Sequence, residues 1–149
     1  MTIHIRPATL ADVSGLLPLM EQLGYPTTLS ILEERFKRFV AQEGHFLVVA
    51  CKEEHCVGYV AWTYTHTFVA DKRRICIEGL VVNEAYRGQG IGKRLMTYVE
   101  ERAQPYAPCI IGLTSGVRRA KDGTHDFYKA LGYRNEGTMA KLYLRKEII

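Results

Sequence analysis

Three glycines in five positions, in Arg87-Gly88-Gln89-Gly90-Ile91-Gly92-Lys93, stand between an apolar run over 75–82 and a segment whose Ile91, Leu95 and Val99 repeat at helical spacing. A strand that enters a helix through such a turn leaves successive backbone N–H groups pointing outward at the positive end of the helix dipole, which makes a seat for phosphate. Glycines let the backbone approach the oxygens closely, and Arg87, Lys93 and Arg94 can add charge-assisted contacts. The plainer reading is a tight turn with a charged rim. Pro105 closes the helix, and the short apolar run over 109–113 completes a strand, helix and strand whose ends pair in parallel.

Two glycine motifs are excluded. A Walker turn needs glycine four residues before Gly-Lys-Ser/Thr, but Arg87 holds that position and Arg94 follows Lys93. The dinucleotide pattern GxGxxG fails because Gly88 and Gly90 lead to Lys93, and Gly90 and Gly92 lead to Leu95.

The rest of the chain is read from its periodicity. Ile3, Ile5 and Pro7 alternate with Thr2, His4 and Arg6, as in a half-buried opening strand. Thr9 and Asp12 give a helix-starting signal. Leu10, Val13, Leu16, Leu17, Met20 and Leu23 then follow a helical period that Gly15 and Pro18 weaken or bend and Gly24-Tyr25-Pro26 ends. Leu32, Phe36, Phe39 and Val40 predict a second helix, and the runs over 46–51 and 57–64 predict a hairpin. A short helix through Phe127, Tyr128 and Leu131, capped by Gly132, precedes a final strand in which Ala140, Leu142 and Leu144 alternate with polar neighbours.

Arg87, Gly90 and Gly92, directly after Ile77-Glu78-Gly79-Leu80-Val81-Val82, meet the pattern Arg/Gln-x-x-Gly-x-Gly/Ala and so resemble the acetyl-CoA signature of the GNAT superfamily. Phe127-Tyr128-x-x-Leu131-Gly132-Tyr133 resembles that family's second cofactor motif. The order of elements is similar to the family's α/β fold along nearly the whole chain: a mixed, mostly antiparallel sheet with a central parallel strand pair from a βαβ unit, flanked by about four helices. The resemblance implies one domain over 1–149, with acetyl-CoA as acyl donor and no metal. It places the backbone of Leu80, Val81 and Val82 beside the pantetheine arm, with an oxyanion donor near Leu80 or Val81. It also places Arg87, Gly88, Gln89, Gly90, Ile91, Gly92 and Lys93 around the phosphates. Gly79, a glycine inside a strand, marks either a bulge or close approach, or merely the avoidance of a clash. The asparagine many members carry before the motif tyrosine has no counterpart, since Arg118, Arg119, Lys121, Thr124 and His125 occupy that region.

Moving an acetyl group from sulfur to nitrogen needs a neutral amine, a stabilised oxyanion and a proton for the departing thiolate. The resemblance makes Tyr128 the proton donor. The alternative is a packing aromatic beside Phe127, and adjacent aromatics on a helix cannot be equally buried. Glu78 lies two residues before Leu80, so strand alternation puts both on one side unless Gly79 bulges. An acid amid Ile75, Ile77, Leu80 and Val81 is costly to bury without purpose. The resemblance makes it a base, direct or through water, or an anchor for a cationic amine; the structural alternative is a carboxylate paired with Arg73 or Arg74.

Direct transfer of acetyl from acetyl-CoA to a primary amine in a ternary complex, without an acyl-cysteine, is thus the expected activity, and a non-catalytic acyl-CoA sensor is the alternative. The acceptor is expected to be a small molecule or a peptide, and the resemblance places Tyr25 and its neighbours over 23–28 and the basic loop over 71–74 on the acceptor side. A formal charge of +4, without aromatic interleaving around Arg73, Arg74, Arg118, Arg119 and Lys121, argues against nucleic acid. The chain shows no run of apolar residues that would cross a bilayer and no signal-peptide core, which predicts a cytoplasmic protein with no membrane partner. Cys51, Cys56, Cys76 and Cys109 form no CxxC pair and read as reduced thiols, and the histidines show no metal-ligand spacing. Homodimers are common among relatives, and nothing in the chain decides for or against one.

Overall fold

The computed structural model describes residues 2–115, 123–136 and 144–149, and the chain divides into two compact units, Met1–Leu113 and Thr114–Ile149. In the first, β1 (Ile3–Pro7) leads through a 3-10 turn, Leu10–Asp12, into α1 (Val13–Leu23). That turn is fixed by a capping box between Thr9 and Asp12. Helix α1 runs unbroken through Pro18, whose missing N–H leaves the carbonyl of exposed Ser14 to solvent. Gly24, at φ 100°, ends it. Helix α2 (Leu29–Ala41) starts on the Thr28 side chain, which accepts from the Ile31 N–H.

A hairpin follows, β2 (His45–Lys52) and β3 (His55–Thr65), and then β4 (Arg73–Val82), α3 (Ile91–Ala103) and β5 (Cys109–Leu113). The strands lie in the order β1-β2-β3-β4-β5, antiparallel except for the parallel β4–β5 pair. The expected α/β fold, with a mixed sheet, a parallel pair and four helices, is the one found. The opening strand is half-buried only at Ile3 and Ile5, since Pro7 is exposed at its end.

Each face of the sheet carries its own core. Val48, Val60, Trp62 and Ile75 pack against Ile91, Leu95 and Val99 of α3. On the other face Val49, Tyr59, Ala61 and Val81 meet Val13, Leu16 and Leu19 of α1 and Leu32 of α2. In the second unit the described residues form α4 (Thr124–Ala130). It ends as a Schellman motif, with Gly132 at φ 95° and the Tyr133 N–H donating to the Tyr128 carbonyl at 3.0 Å. Of the predicted final strand, residues 137–143 lie outside the described residues, and Leu144 is exposed.

Candidate active site

The head of α3 is an uncapped helix start. Gly90 takes the N-cap position at φ 82° with no side-chain cap, so the first-turn N–H groups keep the outward aim that the sequence predicts. Gly88 is also left-handed, at φ 78°, and a Cβ at either glycine would meet nothing within 4 Å. The turn is therefore an open concavity whose glycines are required by backbone angle, not by crowding. Its side chains divide. Gln89 and Lys93 are exposed, whereas Ile91 is 2% exposed within the core and offers the seat only its backbone. Arg87 Nε donates to the Val82 carbonyl at 3.0 Å, which ties the turn to the end of β4. Arg94 is committed elsewhere, since its Nη2 donates to the Ile3 carbonyl at 2.9 Å.

Among the described residues, strand β4 reaches this turn with one edge unpaired. Its pairing with β5 stops at Ile77 and Leu113, while its pairing with β3 continues to Val82 and Gly58. Within residues 2–113 no strand covers the outer edge from Glu78 to Val82, the edge where Leu80, Val81 and Val82 were expected to offer backbone groups. The register between β3 and β4 also slips: Ala61 faces Gly79 but Trp62 faces Ile77, which leaves Glu78 as the extra residue of a β-bulge.

The bulge changes the face that Glu78 presents. Ile75, Ile77, Leu80 and Val82 all pack toward α3, whereas Glu78 and Gly79 line a cavity on the opposite side, under α1 and α2. Glu78 therefore does not share a side with Leu80. Nor does it bear a burial cost, because the bulge leaves it exposed. Among the described residues it makes no ion pair. Arg73 instead stacks on the Tyr106 ring at 4.3 Å and lies 3.3 Å from His66 Nε2. Gly79 serves both the bulge and the packing, since a Cβ there would approach the Tyr59 hydroxyl to 3.2 Å.

The cavity, of about 160 Å³, is bounded by Leu16 and Met20 of α1, Arg35, Phe36 and Phe39 of α2, Leu47 of β2 and Tyr59 of β3. Tyr25 is not on its wall; it stands 58% exposed beyond α1. Burial pushes the Tyr59 hydroxyl up to about 12, against the pull of the Arg35 charge, and the hydroxyl donates to Met20 Sδ at 3.4 Å. Tyr59 and Arg35 were missed in the sequence. A signal for Tyr59 existed: a tyrosine one strand over from a strand glycine fills the space that glycine leaves.

Tyr128 belongs to α4, where its ring lies edge-on to Phe127 at 5.1 Å and to Tyr133 at 6.0 Å. Both Phe127 and Tyr128 are half-buried, so the expected inequality between them is not seen; their rings lean together over one short helix. Arg118, Arg119 and Lys121 lie outside the described residues. The four cysteines are free. Cys51 and Cys56 face each other across the hairpin, Sγ to Sγ 3.7 Å, and with Asp12 bring ligand-capable atoms within 4.8 Å of one another. Asp12 is already engaged there, accepting from Arg6 at 2.7 and 2.8 Å and from the Thr9 N–H. Burial pushes the Cys56 thiol up to about 12. Among the described residues no helix is long and apolar enough to cross a membrane.

The model of the Acetyltransferase (GNAT) family matches residues 16–133. Among solved structures, a GNAT family acetyltransferase from Staphylococcus aureus is 24% identical, with a TM-score of 0.79 over 99% of this chain and 100% of that one. A transcriptional regulator from Bacillus halodurans is 27% identical, with a TM-score of 0.81 over 99% and 100%. Glucosamine-6-phosphate N-acetyltransferase from Arabidopsis thaliana is 20% identical, with a TM-score of 0.78 over 97% and 100%. No curated protein sequence matches the chain.

Proposed function

The chain belongs to the GNAT acetyltransferase family, and from that premise we propose that it moves the acetyl group of acetyl-CoA directly to an amine of a small molecule within a ternary complex. The observation that carries the reading is the continuity of an unpaired β4 edge with an uncapped α3 head through one left-handed glycine turn. A pantetheine arm can pair with such an edge as an added strand, and a pyrophosphate can sit on such a head. In this reading Gly88, Gln89, Gly90, Gly92 and Lys93 hold phosphate, with Ile91 contributing its N–H. Arg87 braces the turn, and Leu80, Val81 and Val82 offer backbone groups to the arm. Acetyl-CoA supplies a thioester activated toward amines. Glu78, on the wall of the cavity under α1 and α2, accepts the amine's proton or holds its ammonium form. Tyr128 holds the proton destined for sulfur on its hydroxyl. Residues 1–149 act as one functional domain, and a cytoplasmic site of action belongs to the same reading.

Calorimetric titration with acetyl-CoA tests the donor site. The wild type should bind, and Gly90→Ala should keep weakened binding, because a Cβ at φ 82° strains the turn without blocking the seat. Gly90→Glu should lose binding while retaining a cooperative melt, because its carboxylate occupies and repels the phosphate position. No binding by the wild type, or equal binding by Gly90→Glu, overturns the assignment.

A further inference from the structure

Helix α2 shows the cavity Leu32, Arg35, Phe36 and Phe39, a spacing that places all four on one helix face. Three are apolar and the fourth is an arginine. The residues one helical turn either side of Arg35 are Ile31, Leu32, Arg38 and Phe39, so the helix itself provides no carboxylate partner. Among the described residues Arg35 forms no ion pair, although its charge reaches the Tyr59 hydroxyl on the cavity wall. The Glu78 carboxylate on β4 lines the same cavity and is not paired with it. Elsewhere in this unit opposite charges close on each other, as Arg6 and Asp12 do at 2.7 Å. Both residues are exposed, so the cavity carries one cation and one anion that do not pair, beside the apolar Leu16, Met20, Leu32, Phe36, Phe39 and Leu47.

We propose that Arg35 is a specificity-determining anchor for the acceptor, and that the acceptor is a small amine that also carries an anionic group, a carboxylate or a phosphate. The inference rests on the acetyl-transfer reading for the role of the amine, which lies toward Glu78, while the anion lies on the Arg35 guanidinium. A guanidinium suits either anion through paired N–H donors. The body joining the two ends is apolar and small: the cavity measures about 160 Å³, and an apolar cavity of roughly 150 Å³ takes one benzene. A branched aliphatic or single-ring amino acid meets these terms, whereas a polycationic amine leaves Arg35 facing like charge.

Matched ligands test this in the full-length protein: leucine against isopentylamine, phenylalanine against phenethylamine, and 3-aminopropyl phosphate to distinguish phosphate from carboxylate. Binding is read by calorimetry with CoA present, and turnover separately by thiol release from acetyl-CoA. In the wild type the better anionic ligand should bind about ten- to a hundredfold tighter than the amine lacking the anion. Arg35→Gln should erase that advantage, seen as a raised KM with kcat little changed, while binding of the amine lacking the anion is not weakened. Arg35→Lys should restore part of it. Discrimination that is intact without any acetyl transfer supports the Arg35 anchor and breaks the transfer reading instead. Absence of discrimination in the wild type, or an equal loss for both members of a pair in Arg35→Gln, overturns the proposal.

Discussion

In the proposed reading, the seat for the donor and the cavity for the acceptor are built by opposite means. The seat is almost wholly backbone and comes from one continuous stretch, the end of β4, the glycine turn and the head of α3. The cavity is almost wholly side chain and is assembled from α1, α2, β2, β3 and β4. A site made of N–H groups and strand edges accepts one invariant ligand and is insensitive to most side-chain changes around it. A site made of side chains on five elements is retuned by single substitutions. A transferase with a fixed donor and a variable acceptor needs this division.

The sharpest attempt to break the contrast is Glu78→Gln, which touches only the acceptor side. Turnover should fall by about two to four orders of magnitude if Glu78 takes the proton, with acetyl-CoA affinity unchanged by calorimetry; a raised KM at constant kcat would make it an anchor instead. Tyr128→Phe should cost roughly ten- to a thousandfold in kcat, and unchanged turnover would remove it from the mechanism. The two sheet faces offer a comparison in stability. Leu95, fully buried where α3 faces the sheet, should cost about 3–5 kcal/mol as Leu95→Ala in urea unfolding. Half-buried Leu47 should cost only about 1–2 kcal/mol as Leu47→Ala, because its side chain already borders open space; equal losses would mean the cavity closes in solution.

The smallest effect is at the base of α1. Hydrogen bonds from the Arg6 guanidinium hold the Asp12 carboxyl down from 3.8 to about 2. A depressed carboxylate contributes its stabilisation above the ordinary value and loses it as pH falls through about 2. Since the Arg6 side chain is 45% exposed, screening limits this to about 0.5–1 kcal/mol. Stability should therefore decline between pH 4 and 2 in the wild type, as followed by chemical denaturation, with a shallower decline in Asp12→Asn.

The same division explains what the sequence discloses. The strand and helix periods of residues 2–113, the Thr9 and Asp12 cap, the Gly24 and Gly132 stops and the glycine turn are local, and each is found where its residues predict it. The hairpin is a little longer than predicted, because its strands extend to the turn at Glu53, φ 55°. The cavity was not legible. Arg35 reads locally as part of a solvated face and is exposed, and only the packing of α2 beside α1 and β2 shows that it borders a cavity. The bulge at Glu78 is undecided in the sequence for a similar reason: Glu78 and Gly79 interrupt the run over 75–82 without fixing its register, and the slip appears only against β3.

That slip has a genetic consequence. Because Glu78 is supernumerary in the β3–β4 ladder, the residue there can change chemistry without altering any partner in either core, so the acid is free to be replaced as acceptors change. Its deletion is equally mild for the two cores. Losing one codon there would join Ile77 to Gly79 and restore an unbroken two-residue alternation, in which Ile75, Ile77, Leu80 and Val82 keep the α3 face and Val81 keeps the other. At this position a missense change alters the charge on the cavity wall, and a single-codon deletion straightens the strand without exchanging its faces.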